Sequence, residues 1–207
     1  SNVVADRTRG KDNLYFDTRF VGNAYIDVKI LEGLTFKSSL GGTFWNRHGK
    51  GYSFATYERS ENVATASLTE DTEYYLDWVW TNTLNFDKTF GTSKVNGVLG
   101  YEAVKGGIGG GLSASRAGYF SDNVDFRTLE NGAVTTAATS WMGTPRSLLS
   151  QFGKVDYSLM DKYLVSATVR RDGASVFGKE TRFGIFPSFS AGWRVSEESF
   201  LQGVSWI

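Results

Sequence analysis

Two runs near the C-terminal end alternate apolar and polar residues with strict period two. Tyr163, Val165, Ala167 and Val169 share one face, and Ser166, Thr168 and Arg170 share the other. Phe183, Ile185, Phe189, Ala191 and Trp193 oppose Arg182, Gly184, Ser188, Ser190, Gly192 and Arg194. Period two is the repeat of a β-strand, whose successive side chains point to opposite faces. One face here is greasy and the other small or charged. A strand between lipid and a wet lumen carries this pattern.

Composition extends that reading to the whole chain. The 207 residues are 41% hydrophobic and 15% aromatic, with 24 glycines and only 2 prolines. This argues for an all-β fold over a helical or disordered one. Lys plus Arg and Asp plus Glu number 22 each, so net charge gives no case for nucleic acid. With no cysteine, disulfide staples and thiolate metal sites are excluded. No apolar run approaches the ~20 residues that a membrane-spanning helix needs. A mean hydropathy of −0.26 leaves transmembrane strands open, since a barrel shows lipid only alternate residues. The opening Ser-Asn-Val-Val-Ala-Asp-Arg lacks the apolar core of a signal peptide. The chain is therefore expected to begin after processing or to be an interior piece of something longer.

Alternation predicts about seven strands. They fall near residues 14–30, 34–45, 72–86, 95–104, 147–158, 162–171 and 182–195, and Trp206 and Ile207 open a further one. Short turns are expected at Leu31–Gly33, Asp87–Lys94 and Leu159–Asp161. Long connections are expected at Asn46–Asp71 and Lys105–Arg146, with a medium one at Asp172–Thr181. Short and long connections thus alternate, as in an outer-membrane barrel with tight periplasmic turns and large extracellular loops. Pro187 removes a ladder donor and predicts a bulge or a position beyond the bilayer.

Three hairpins carry a family resemblance. The first runs from Phe20-Val21-Gly22-Asn23-Ala24-Tyr25 to Lys29-Ile30-Leu31-Glu32-Gly33-Leu34-Thr35-Phe36. The second joins Thr81-Asn82-Thr83-Leu84-Asn85-Phe86 to Val95-Asn96-Gly97-Val98-Leu99-Gly100-Tyr101-Glu102. The third joins Asp161-Lys162-Tyr163-Leu164 and Arg170-Arg171-Asp172-Gly173 to Phe186-Pro187-Ser188 and Ala191-Gly192-Trp193-Arg194, followed by Glu197-Glu198. In this order and spacing they resemble the barrel of SusC/RagA-family TonB-linked outer-membrane transporters. The resemblance implies an all-β fold: antiparallel up-and-down strands forming part of a transmembrane outer-membrane β-barrel. It makes residues 1–207 a partial barrel whose plug domain lies outside the sequence, with two open sheet edges.

Residues with possible chemistry are few. His48, in Asn46-Arg47-His48-Gly49-Lys50, is the only histidine and reads as a solvated loop residue. No metal-ligand spacing surrounds it. Arg170-Arg171-Asp172-Gly173 reads as a charged strand end with an Asp-Gly turn. Gly106-Gly107-Ile108-Gly109-Gly110-Gly111 lacks the Lys-Ser/Thr and βαβ context of a phosphate loop and reads as a hinge. Asp71 and Glu73 belong to a scatter of carboxylates that makes no acid–base pair. Trp78, Trp80, Tyr163, Phe183 and Trp193 read as lipid-facing or interfacial anchors. Tyr52, Phe54, Tyr57, Tyr119, Phe120 and Trp141 fall in the expected extracellular loops, where their rings could stack on sugar or peptide. They are the substrate-contact candidates. No catalytic, metal or cofactor site is expected.

By resemblance, the chain is a segment of an importer of oligosaccharides or peptides in the outer membrane of a Gram-negative, Bacteroidetes-like bacterium. A SusD-like surface lipoprotein and the TonB complex, acting through the plug, are the implied partners, with lipid around the barrel. The alternative is a soluble, secreted all-β glycan-binding module. The two differ in where the apolar stripe goes: to a core in the module, outward in a barrel.

Overall fold

Alternation becomes strand along most of the chain. The computed structural model describes residues 3–57 and 62–201. A short helix, α1 (Val3–Gly10), precedes β1 (Leu14–Leu31), β2 (Leu34–Ser53), β3 (Ser67–Phe90), β4 (Ser93–Tyr119), β5 (Gly132–Met142), β6 (Arg146–Leu159), β7 (Tyr163–Ala174) and β8 (Phe183–Trp193). The sheet order is β1-β2-β3-β4-β6-β7-β8, with β5 on β4. The β4–β5, β4–β6, β6–β7 and β7–β8 pairings are antiparallel, so consecutive strands run up and down. Residues 93–106 of β4 pair with β6 and residues 110–119 pair with β5. β5 and β6 therefore act as one interrupted strand, and seven strand positions result, as alternation predicts. The further strand expected at Trp206 and Ile207 lies outside the described residues.

The turns follow local chemistry. Gly33, at φ +80°, closes β1–β2, and Gly91, at φ +60°, closes β3–β4. Met160 and Asp161, at φ 53° and 55°, form the two central positions of a turn closed by Lys162 N donating to Leu159 O at 3.0 Å. Positive φ at both positions is the type I′ geometry, whose twist matches the flanking strands.

Three expectations are corrected, and a fourth, the bulge at Pro187, is narrowed. The connection expected at Asn46–Asp71 shrinks, because β2 continues to Ser53 and β3 begins at Ser67. Apart from Tyr52 and Leu68 the added strand residues are polar or glycine, too few apolar positions for alternation to reveal them. Ladder partners hold them instead: Thr72 Oγ1 donates to Arg47 O, and Lys50 pairs with Glu70. The connection expected at Lys105–Arg146 is mostly strand, with only residues 120–131 and 143–145 outside it. The glycine run expected to hinge is the middle of β4. Pro187 stands opposite Val169 without a register shift. Among the described residues β8 pairs with β7, and proline is tolerated in a strand where its missing amide would face away from that neighbour.

The chain divides into two compact units. The first gathers the residues up to Val21, Thr43–Leu76 and Gly107–Pro145; the second gathers Gly22–Gly42, Asp77–Gly106 and the residues from Arg146 onward. The first unit has a core of Tyr52, Ala66 and Leu68, with Phe54, Tyr119 and Leu129 against it. In the second unit the apolar side chains lie bare along one sheet face. Val165, Val169, Ile185 and Phe189 are at least half exposed, and Phe189 reaches 80%.

Candidate functional site

The register of β2 on β3 fixes which side chains share a face. Trp45 meets Tyr75, Arg47 meets Glu73, Lys50 meets Glu70 and Asp87 N donates to Gly33 O, so the pairing is in step from end to end. Trp45, Arg47, Glu73 and Tyr75 therefore lie on the face opposite Phe44 and Leu76. This is the polar face.

In the first unit that face carries an aromatic ladder. The Trp45 and Tyr75 ring centroids are 5.3 Å apart at 31°, and those of Tyr75 and Trp141 are 5.5 Å apart at 40°. Trp141 lies on β5, opposite Gly111 of β4. It reaches Tyr75 on β3 because β4 carries no side chain there. A Cβ on Gly111 would stand 2.7 Å from Trp141 Nε1 and 2.8 Å from Thr72 O, and one on Gly109 would meet Tyr74 O and the Tyr75 ring. The glycine run is a cleared track. Arg47 caps the ladder with its guanidinium carbon 5.2 Å from the Trp45 ring centroid. Its Nε donates to Asp17 Oδ1 at 2.9 Å, and Nη1 lies 3.7 Å from Glu73 Oε1.

The sequence-predicted residues separate into three places. Tyr52, Phe54 and Tyr119 come together in a packed knot. Tyr52 is 4% exposed, with Phe54 and Tyr119 edge-on at 5.1 and 5.4 Å. The Tyr52 hydroxyl donates to Asp122 Oδ1 at 2.7 Å. Arg127 lies 4.5 Å from the Tyr52 ring centroid, donates through Nε and Nη2 to Asp122 O, and pairs with Asp12 at 3.2 Å. These contacts fold the 120–131 connection onto the sheet. Tyr57 and Phe120 stand out at 80% and 71% exposure, Phe120 5.1 Å from Phe126. Trp141, 41% exposed, joins the ladder. Tyr52, Tyr119 and Trp141 were expected in loops, and the structure places all three on strands.

Sequence reasoning missed Trp45 and Tyr75, although a signal existed. Leu34, Phe36, Leu40 and Phe44 define the apolar face of β2, and Leu76, Trp78 and Trp80 that of β3. Trp45 and Tyr75 each fall one position out of phase. An aromatic on the polar face of an otherwise alternating strand marks a residue with another task.

The polar face of the second unit carries a charged tie across four strands. Thr81 Oγ1 donates to Glu102 Oε2 at 3.1 Å. Arg170 Nη2 donates to Glu102 Oε1 at 3.3 Å and to Ser150 Oγ at 2.9 Å, and Arg170 Nε donates to both Asp172 oxygens at 2.8 and 3.0 Å. Arg170 is thus occupied as a cross-strand clamp. The opposite face holds a shallow apolar trough of about 670 Å³, floored by Gly97, Gly153 and Ala167 between Leu99, Val155 and Phe189. At the turn end, Glu198 accepts from Tyr163 Oη at 2.7 Å, Trp193 Nε1 at 3.1 Å and Lys162 Nζ at 3.4 Å. The Tyr163 hydrogen bond, then that from Trp193 and the Lys162 charge, hold the Glu198 carboxyl below its usual range. His48 is exposed, and among the described residues no acidic or histidine cluster could hold a metal.

Comparison with known proteins gives the context for this wall. No protein-family model matches the chain. It is 29% identical over 201 residues to TonB-dependent receptor P3 of Formosa agariphila and 30% identical over 201 residues to TonB-dependent receptor P39 of the same organism. Those alignments cover 97% and 95% of this chain and 20% and 18% of the relatives. It is 47% identical over 62 residues, 30% of this chain and 6% of the relative, to TonB-dependent receptor SusC of Bacteroides thetaiotaomicron. The chain thus spans about a fifth or less of the curated relatives it matches. Among solved structures, the RagAB peptide transporter superposes with a TM-score of 0.80 at 19% identity, over 93% of this chain and 21% of that one, which shows a shared fold. The hairpins, the up-and-down order and these relatives together assign the chain to the barrel wall of the SusC/RagA family of TonB-dependent receptors.

Proposed function

We propose that this chain is wall of an outer-membrane importer that takes up oligosaccharides or peptides in a Bacteroidetes-like bacterium. It works with a SusD-like surface lipoprotein on the outside and with TonB through a plug on the inside. The wall performs no covalent chemistry. Its β2–β3, β4–β5 and β7–β8 connections face the exterior, where Tyr57 and Phe120 and the nearby strand residue Trp141 contact substrate. Tyr52, Phe54 and Tyr119 support that surface from beneath.

One observation carries this reading. The apolar stripe of β7 and β8 is bare, while Ser150 and the Arg170 clamp occupy the opposite face. A soluble sandwich buries its apolar face against a second sheet. A bare apolar face backed by a satisfied polar one suits a wall between lipid and water. The test is genetic and energetic. Deleting the coding sequence should abolish accumulation of labelled oligosaccharide or peptide, the full-length gene should restore it, and collapsing the proton gradient should stop it. Uptake unchanged by deletion overturns the importer reading. A full-length product that stays monodisperse without detergent overturns the membrane placement.

A further inference from the structure

We propose that the apolar trough on the bare face of the second unit holds one acyl chain of a glycerophospholipid from the turn-side leaflet of the bilayer. This rests on the membrane placement above and goes beyond it, because it picks one seat out of the lipid-facing wall.

The seat is cut by two glycines that the chain itself does not need. Gly97 of β4 pairs with Val155 of β6, and Gly153 of β6 pairs with Leu99 of β4, so both glycines share the apolar face. The β4–β6 register runs from Ser93 to Gly106 without a shift, and neither glycine has positive φ. Glycine weakens a strand interior, and away from bulges and bends it marks close approach of a ligand or another backbone. No backbone presses on either one. An added Cβ at Gly97 would meet its nearest atom, Lys154 O, at an ordinary 3.7 Å, and one at Gly153 would first meet the flexible tip of Leu99 at 3.2 Å. Elsewhere in this unit the chain fills such gaps itself: the Phe152 ring covers Gly100, Phe183 covers Gly173 and Phe186 covers Gly184. Over Gly97 and Gly153 no ring folds down, and the space stays open as the trough of about 670 Å³. Small-ligand sites span about 300–1,000 Å³.

Depth and chemistry choose the occupant. Leu84 and Phe86 of β3 line one side and Phe189 of β8 the other, with Ala167 level with Gly97 on the floor between them. Gly97 is the fifth residue of β4. At about 3.4 Å per residue and a tilt of about 45°, it stands about 10 Å above the turn. Half of a hydrocarbon core of about 30 Å is about 15 Å, so the trough lies within the turn-side leaflet. Toward the turns the same face becomes polar. One step beyond Val155 on its face is Tyr157, whose Oη shares an exposed hydrogen bond of 3.0 Å with Ser93 Oγ. One step beyond Phe86 on its face is Lys88, exposed, with its ammonium 5.7 Å from the Phe90 ring centroid. Tyr163 and Trp193 stack at 6.5 Å nearby, as aromatic residues do at a membrane–water interface. A cation and two hydroxyls at the end of an apolar slot suit the phosphate and glycerol oxygens of a lipid whose chain lies in the slot. A second copy of this chain would offer the slot apolar side chains but no phosphate to Lys88.

The test uses the full-length protein in detergent, with native mass spectrometry of bound lipid as the readout. The probes are dipalmitoyl phosphatidylethanolamine, dipalmitoylglycerol, which keeps the chains and lacks the phosphate, and lipid A. Phosphatidylethanolamine should bind at least fivefold tighter than either of the others. Gly97→Leu combined with Gly153→Leu fills the trough and should weaken that binding at least tenfold. Lys88→Gln should weaken it at least threefold and leave dipalmitoylglycerol unchanged, and Lys88→Arg should restore it. Heat-sensitive gel migration confirms folding. If the double leucine variant does not fold, Phe189→Ala, which lowers one wall, should still weaken binding at least threefold. Phosphatidylethanolamine binding unchanged in the folded variants overturns the inference, as does binding of lipid A or dipalmitoylglycerol that is equally tight. A leucine variant that turns a parent dimer into monomers also overturns it, by making the trough a seat for a second copy. These outcomes leave the importer reading standing, which falls if gene deletion leaves uptake unchanged. A full-length product that is monodisperse without detergent removes the membrane placement and this inference with it.

Discussion

Two regions, β7–β8 in the second unit and the Tyr52–Leu68 core in the first, treat the same kind of apolar face in opposite ways. In the second, Val165, Val169, Ile185 and Phe189 stand bare. In the first, Tyr52 and Leu68, in step with Phe44 and Leu76, are covered by the chain's own 120–131 connection, which the Tyr52–Asp122–Arg127 knot ties down. A chain covers its own apolar surface where water would otherwise touch it, and leaves it bare where lipid does the covering. The difference thus reads as a change of solvent along the strands. Substitutions that depend on burial by protein and those that depend on burial by lipid should separate cleanly between the units.

The largest effect belongs to the covered face. Leu68 is 0% exposed, and Leu68→Ala should cost about 2–5 kcal/mol, transfer plus cavity. Urea unfolding of the full-length protein in vesicles measures it. Because protein supplies the burial, the loss should be similar in vesicles of different chain length. A cost under about 1 kcal/mol would mean that the 120–131 connection does not pack as a core.

The bare face should respond to charge. Ala167, opposite Phe189 on β7, points to the apolar side. Ala167→Arg should cost about 2–4 kcal/mol if it lies near the bilayer midplane. Unlike Leu68→Ala, its cost should vary with bilayer thickness, since depth sets the penalty. A cost near zero in lipid places the residue outside the hydrocarbon and erases the contrast between the units.

The same contrast decides what was legible in the sequence. Where one face meets lipid and the other water, alternation is strict, and β6, β7 and β8 were readable to within a few residues. So was the number of strand positions. Around Asn46–Ser53 and Gly106–Gly111 the residues are mostly polar or glycine on both faces, so the pattern dissolves. Asn46 to Ser53 and Gly106 to Gly111 read as loop and hinge, yet both are strand. Of the site candidates, Trp141 was found as a lone loop aromatic. Its partners Trp45 and Tyr75 were hidden because register, which sequence alone leaves open, brings them together.

The glycine track offers a sharper, smaller test. Gly22→Ala meets open space on β1, with nothing within 4 Å of the added Cβ, and should cost less than about 0.5 kcal/mol. Gly111→Ala pushes against Thr72 O and Trp141 Nε1, and should cost about 1–3 kcal/mol by overpacking. It should also shift tryptophan emission as Trp141 lifts from Tyr75. Equal costs for the two alanines would mean that the track is ordinary strand glycine.

The smallest effect is electrostatic and sits at the turn end of the second unit. Glu198 gathers Tyr163 Oη, Trp193 Nε1 and Lys162 Nζ, and anchors the turn Val195–Glu197 to the start of β7. Its carboxyl is held below the ordinary range, chiefly by the Tyr163 hydrogen bond. A depressed carboxylate binds fewer protons folded than unfolded. Its contribution is therefore fully present above the ordinary Glu value of about 4.3 and is lost as pH falls below it through the depressed value. Hydrogen exchange at residues 195–201 should quicken over that acid range beyond the intrinsic pH dependence. Glu198→Gln should flatten this change while leaving the Leu68 region untouched. Equal acid sensitivity in parent and Glu198→Gln would show that the cluster is held by the Tyr163–Trp193 stack at 6.5 Å and not by the carboxylate.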